Sequence, residues 1–98
     1  MKDHVRIAVY ALTKGPVEEV VDLAEKGMLP IFKSQPGFLR YGLAQLDDGK
    51  FASVSIWETH DEAEAATTEA ADFVAKNLAD RIKLESSHVG DFFFDESA

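Results

Sequence analysis

The chain has 98 residues, 46% hydrophobic and 29% charged, with six glycines, three prolines and no cysteine. This is the composition of one globular domain over residues 1–98, not of a disordered tail, and it excludes disulfides, thiolate metal sites and cysteine nucleophiles. A net charge of -8, with ten basic residues dispersed among eighteen acidic ones, argues against a nucleic-acid or anionic-membrane partner, and no apolar run reaches the ~20 residues of a membrane span.

The start, Met1-Lys2-Asp3-His4-Val5-Arg6, is rich in charge and has no signal-peptide core, so a cytoplasmic location is expected. His4 to Leu12 alternates Val5, Ile7, Val9 and Ala11 with His4, Arg6, Ala8, Tyr10 and Leu12, the period of a strand. Thr13-Lys14-Gly15-Pro16 stops it. Pro16 suits the first helical position, with Glu18 and Glu19 near the positive helix end. Val17, Val20, Val21, Ala24, Met28, Ile31 and Phe32 follow at helical spacing. Pro30 has no N–H for the Lys26 carbonyl, which predicts a kink or break at Lys26–Pro30 before Gln35-Pro36-Gly37 ends the run.

Phe38 to Leu46 and Phe51 to Glu58 read as strands around Asp47-Asp48-Gly49-Lys50, a hairpin signal. Thr59-His60-Asp61-Glu62 fits a capping box, and seven alanines between Ala63 and Ala79 favour the helix that follows. Its buried stripe is expected at Ala63, Ala66, Ala70, Phe73, Val74 and Leu78, with Arg81 and Lys83 at its negative end. Ser87 to Asp95 reads as a last strand, aromatic on both sides. The order βαββαβ predicts an α+β, ferredoxin-like fold: a four-stranded antiparallel sheet with two helices on one face.

Strand parity then sorts the sheet into faces. In the third strand, Ala52, Val54 and Ile56 are compact and apolar and are expected towards the helices. Phe51, Ser53, Ser55 and Trp57 form a mixed face expected on the open side. The first strand offers Arg6, Tyr10 and Leu12 opposite its β-branched set, and the last strand sets His88, Gly90, Phe92 and Phe94 against Val89, Asp91 and Phe93. In the second strand, Leu39, Tyr41, Leu43 and Gln45 are expected towards the helices. An open aromatic face exceeds what monomers usually expose, so a second copy is expected to cover it in a two-fold homodimer. That closure leaves either a seam filled by side chains or a cavity lined by Trp57, Tyr10, Ser55, His88 and Arg40.

Pro36-Gly37-Phe38, the Asp47-Asp48-Gly49 hairpin, and Ser53-Val54-Ser55-Ile56-Trp57-Glu58 before an alanine-rich helix resemble the antibiotic biosynthesis monooxygenase (ABM-like) family. The resemblance covers Val5 to Leu78. It implies a dimeric α/β barrel built from two ferredoxin-like chains. That family includes cofactor-independent oxygenases of aromatic polyketides, quinol oxygenases, haem-degrading enzymes and members of no known activity. The haem-degrading branch uses an Asn on the first strand, a Trp on the third and a His on the second helix. Trp57 matches, but the Asn position falls near Ala8 and Glu62 to Arg81 holds no histidine, so haem degradation is not expected.

Trp57 offers an apolar face and one N–H donor, either to a ligand or to a dimer seam. His88 and Tyr10 are the candidate proton-handling groups, and Ser55, Arg40 and Phe92 the remaining candidate ligand contacts. His60 and His4 are expected to be solvated. The three histidines lack metal-ligand spacing, so no metal is expected. Asp91 needs a partner if buried and none at a surface edge. No nucleophile elbow, phosphate loop or dinucleotide fingerprint occurs. The resemblance, with the mixed sheet face, implies one of two functions. One is a cofactor-independent oxygenase binding a small apolar or aromatic compound, in which the substrate carbanion reduces dioxygen itself. The other is a non-catalytic homodimer that binds a metabolite or serves structure.

Overall fold

The computed structural model describes residues 3–97; Met1, Lys2 and Ala98, the ends of the expected domain, lie outside the described residues. The elements are β1 (His4–Leu12), α1 (Val17–Leu23), a π-helical turn (Ala24–Met28), α2 (Leu29–Lys33), β2 (Phe38–Gln45), β3 (Lys50–Trp57), α3 (His60–Asn77) and β4 (Ile82–Asp91). α1, the π turn and α2 form one uninterrupted helical run, so the order is βαββαβ. The strands make one antiparallel sheet in the order β2-β3-β1-β4, the ferredoxin-like arrangement. No helix among the described residues is long and apolar enough to cross a membrane.

At Lys26–Pro30, where a kink or break is expected, the helical run continues through the π turn. The Leu29 N–H reaches back to the Ala24 carbonyl, so the chain widens by one residue and Pro30 enters the first turn of α2, where its missing N–H costs little. Gly27 sits in that turn against Phe73 of α3: a Cβ there would lie 2.5 Å from Phe73 Cε2. Between β2 and β3, Gly49 takes the left-handed conformation (φ 73°) that the Asp-Gly signal anticipates. Thr59 Oγ1 accepts from the Glu62 N–H at 3.1 Å and so caps α3, while the Glu62 carboxylate turns towards Gly37.

Two expectations are corrected. β4 begins at Ile82, because a tight turn after α3 hydrogen-bonds Arg81 and Ile82 to the Leu78 carbonyl and presents the Arg81 carbonyl to Thr13 and Lys14. Arg81 therefore lies in that turn, ion-paired with Glu19, and Lys83 lies in the strand. The strand ends at Asp91, and Phe93 and Phe94 project beyond it, 91% and 82% exposed.

The faces of β1 and β3 are also opposite to those expected. Trp57 packs with Phe32, Ala63, Ala66 and Ala70, and Tyr10 and Phe51 pack with Val20 and Leu78, so the mixed face meets the helices. The aliphatic set of Val5, Ile7, Val54 and Ile56 lies half-buried to exposed on the open side. Volume complementarity decides this. α3 presents alanines, which leave room that only large sheet side chains fill. Tyr41 and Leu43 of β2 face the helices as expected.

Candidate functional site

On the helix-covered face, Arg6 and Tyr10 of β1 stand beside Ser53, Ser55 and Trp57 of β3, since Arg6 is the register partner of Ser55. Trp57 is 1% exposed and donates its Nε1–H to Ser55 Oγ at 2.9 Å. Phe32 makes T-shaped contacts with Trp57 and Tyr41, with centroids 5.3 and 5.0 Å apart, and Phe38 makes another with the indole at 5.5 Å. Tyr10 stacks on Phe51.

Arg6 is 2% exposed, and a guanidinium is charged at any physiological pH. Its Nη1 donates to Ser53 Oγ at 3.5 Å and its Nη2 to Tyr10 Oη at 3.4 Å, both long, and its Nε meets no acceptor among the described residues. Among the described residues no carboxylate forms an ion pair with it. Burying a charge is costly unless it is paired, so this arrangement is complementary to an anion. Burial, the largest influence, pushes the nearby Tyr41 phenol above its ordinary value, against the opposing effects of Ser53 and Arg6. A cavity of about 30 Å³ lies beside these groups, lined by Tyr10, Tyr41, Ser53, Met28 and Phe73. That volume suits a water or two, not a drug-sized ligand. Ala24 and Met28 of the π turn lie at its wall.

Of the sequence-predicted residues, the structure gathers Tyr10, Ser55 and Trp57 on this buried face. His88 lies exposed opposite Ile7, and Arg40 lies exposed opposite Ile56, both on the other side of the sheet. Phe92 is half-buried just beyond β4, its N–H bonded to the Asp3 carbonyl. Within a single chain, Trp57, Tyr10 and Ser55 therefore do not share the expected cavity with His88 and Arg40. Sequence reasoning passed over Arg6 as a site residue. The signal was present: a basic residue on the parity set of Ala8 and Tyr10.

A second cluster sits at the end of the same face, where His4 is the register partner of both Trp57 and Asp91. His4 Nδ1 lies 2.6 Å and His60 Nδ1 2.9 Å from the same oxygen, Asp91 Oδ1. His60 Nε2 lies 3.2 Å from Glu64 Oε1. The Asp91 hydrogen bond, foremost, raises the His60 pKa, and His60 and then His4 hold Asp91 below its usual range. Both histidines keep part of their surface in water, as expected, and the fold joins them at one carboxylate.

The chain is thus a ferredoxin-like α+β domain whose helix-covered sheet face encloses a polar–aromatic group around Arg6. The chain belongs to the antibiotic biosynthesis monooxygenase family, whose model matches residues 4–76. No curated protein matches it. Among solved structures it is similar to MupZ from Pseudomonas fluorescens (9% identity, TM-score 0.73, covering 91% of this chain and 71% of that one). It is also similar to NE2512, a protein of unknown function from Nitrosomonas europaea (12% identity, TM-score 0.75, covering 100% and 96%). A third is SnoaB, a cofactor-independent oxygenase from Streptomyces nogalater (20% identity, TM-score 0.61, covering 99% and 97%). At these identities the likeness concerns the fold.

Proposed function

We propose that the chain is a cofactor-independent monooxygenase, a cytoplasmic homodimer that takes a small phenolic or otherwise enolisable aromatic compound between its sheet and helices. The observation that carries this reading is Arg6: a buried guanidinium whose partners among the described residues are two distant hydroxyls, set beside aromatic walls. Arg6 stabilises the deprotonated substrate, Trp57 and Phe51 confine its ring, and Tyr10, whose hydroxyl bonds Arg6, handles the proton. The carbanion gives its electrons to dioxygen; a peroxide forms at the former CH2 carbon and collapses to a carbonyl, releasing water. The substrate supplies all the electrons. The activity in SnoaB's name adds weight to this reading. The aliphatic open face of the sheet supports dimerisation, since a partner sheet removes it from water.

A second reading, a non-catalytic homodimer, is favoured by the small cavity. Oxygen uptake with a panel of polycyclic phenols that carry an acidic CH2 separates the two. The oxygenase reading expects one dioxygen consumed per substrate, with loss of uptake in Arg6→Met. Binding without uptake, or neither, favours the second.

A further inference from the structure

We infer that His4, His60 and Asp91 form a binding site for one divalent first-row transition-metal ion per chain, of the zinc or cobalt kind. The site does not depend on the proposed oxygen chemistry. His4, His60 and Asp91 each bring one donor atom within 4.8 Å of the others, and Nδ1 of both histidines faces Asp91 Oδ1. They come from the start of β1, the start of α3 and the end of β4, so the fold rather than local spacing assembles them. Two imidazoles and one carboxylate select a borderline transition metal over magnesium or calcium, which prefer oxygen ligands. Three protein ligands leave further positions to water, and the group is only partly buried, so an ion has access.

The orientation of His60 is the independent argument. Glu64, one helical turn along α3, faces His60 Nε2. In that position a carboxylate keeps the proton on Nε2 and leaves the Nδ1 lone pair for a metal, the arrangement that commonly supports ligating histidines. The donors now share protons at hydrogen-bond distance. An ion replaces those protons after the three side chains open slightly, to ligand bonds of about 2.0–2.2 Å. Asp91 and Glu64 together offset the charge of the ion. Its effect is to pin the rim of the interior site by tying β4 and α3 to β1.

The test uses the untagged full-length protein, stripped with chelator and titrated calorimetrically with zinc at neutral pH, with cobalt as an optical probe. The inference expects one ion per chain, a raised melting temperature, and a cobalt spectrum of nitrogen–oxygen coordination. Asp91→Asn and His60→Gln should weaken binding at least about 100-fold and Glu64→Gln about 10-fold, the scale of direct and supporting groups. His60 and Asp91 are partly exposed, so these variants are expected to fold, and circular dichroism checks that they do. Absence of zinc binding, or binding undiminished in Asp91→Asn and His60→Gln, overturns the inference.

Discussion

The Arg6 guanidinium donates to Tyr10 Oη at 3.4 Å while its own Nε meets no acceptor among the described residues. A charge inside the fold is thus held by Tyr10 on its own strand and by Ser53 on the neighbouring one. In Arg6→Met the apolar stem remains and the uncompensated charge goes. Replacing buried charge by a well-packed apolar group is often neutral or stabilising by about 1–4 kcal/mol. Urea unfolding of the ligand-free protein should therefore show Arg6→Met at least as stable as the parent, while affinity for anionic aromatics falls. A loss of several kcal/mol would instead make Arg6 a structural residue.

Trp57 carries two loads that substitution can separate. Its ring is enclosed by Phe32 and Phe38, and its Nε1–H is bonded to Ser55. Trp57→Ala should cost about 3–5 kcal/mol, and for a chain this small that endangers folding itself. Trp57→Phe keeps much of the volume but strands the Ser55 hydroxyl, a cost of about 1–3 kcal/mol. Thermal melts of both variants check the order, and ligand studies belong with Trp57→Phe.

Gly27 and Phe73 are coupled through space. Alanine at position 27 gains about 1 kcal/mol of helix propensity but drives its Cβ to 2.5 Å from Phe73 Cε2. Overpacking typically costs about 1–3 kcal/mol, so Gly27→Ala should be net destabilising in the wild-type background. Phe73→Leu makes room, and the double variant should be more stable than the sum of the single effects allows. A double-mutant cycle with no coupling would refute the contact.

Much of the fold was legible in the sequence. Period two marked β1, Asp-Gly marked the hairpin, Thr59 marked the start of α3, and the stripe of Ala63, Ala66 and Ala70 is the buried one. The facing of the sheet was not, because parity divides each strand into two sets without saying which one the helices cover. Apolarity pointed to Val54 and Ile56, whereas the small alanines of α3 called for the large ring of Trp57. The His4–Asp91 contact joins residues 87 apart, a separation no local pattern spans. Phe92 to Phe94 suggested a strand by composition, but the pairing with β1 ends at Asp91.

The open face gives a prediction about assembly. Ile7 pairs with Val54 on one side and His88 on the other, and it remains 37% exposed in a single chain. Lysine at position 7 finds water in the isolated chain, so folding should survive. Within a sheet-to-sheet interface the same ammonium would be buried without a partner. Light scattering should show a dimer for the parent and a monomer for Ile7→Lys, with circular dichroism unchanged. A parent that is monomeric at micromolar concentration would remove the dimer from the proposed function.

Alkaline pH gives the last prediction. Burial of Tyr41 pushes its phenol above 10.0, so the folded chain prefers the neutral form more strongly than the unfolded chain does. Below pH 10.0 both states keep the proton, and the contribution of Tyr41 to stability is fully present. As the pH rises from there through the folded pKa, the unfolded chain ionises first and that contribution is lost. The chain has two tyrosines, so in Tyr10→Phe the tyrosinate absorbance reports Tyr41 alone, and its midpoint should lie above 10.0. Tyr41→Phe should lose less stability than the parent over the same alkaline range, since phenylalanine has no proton to give up. A Tyr41 midpoint at or below 10.0 would mean that water reaches the phenol, and with it the interior site.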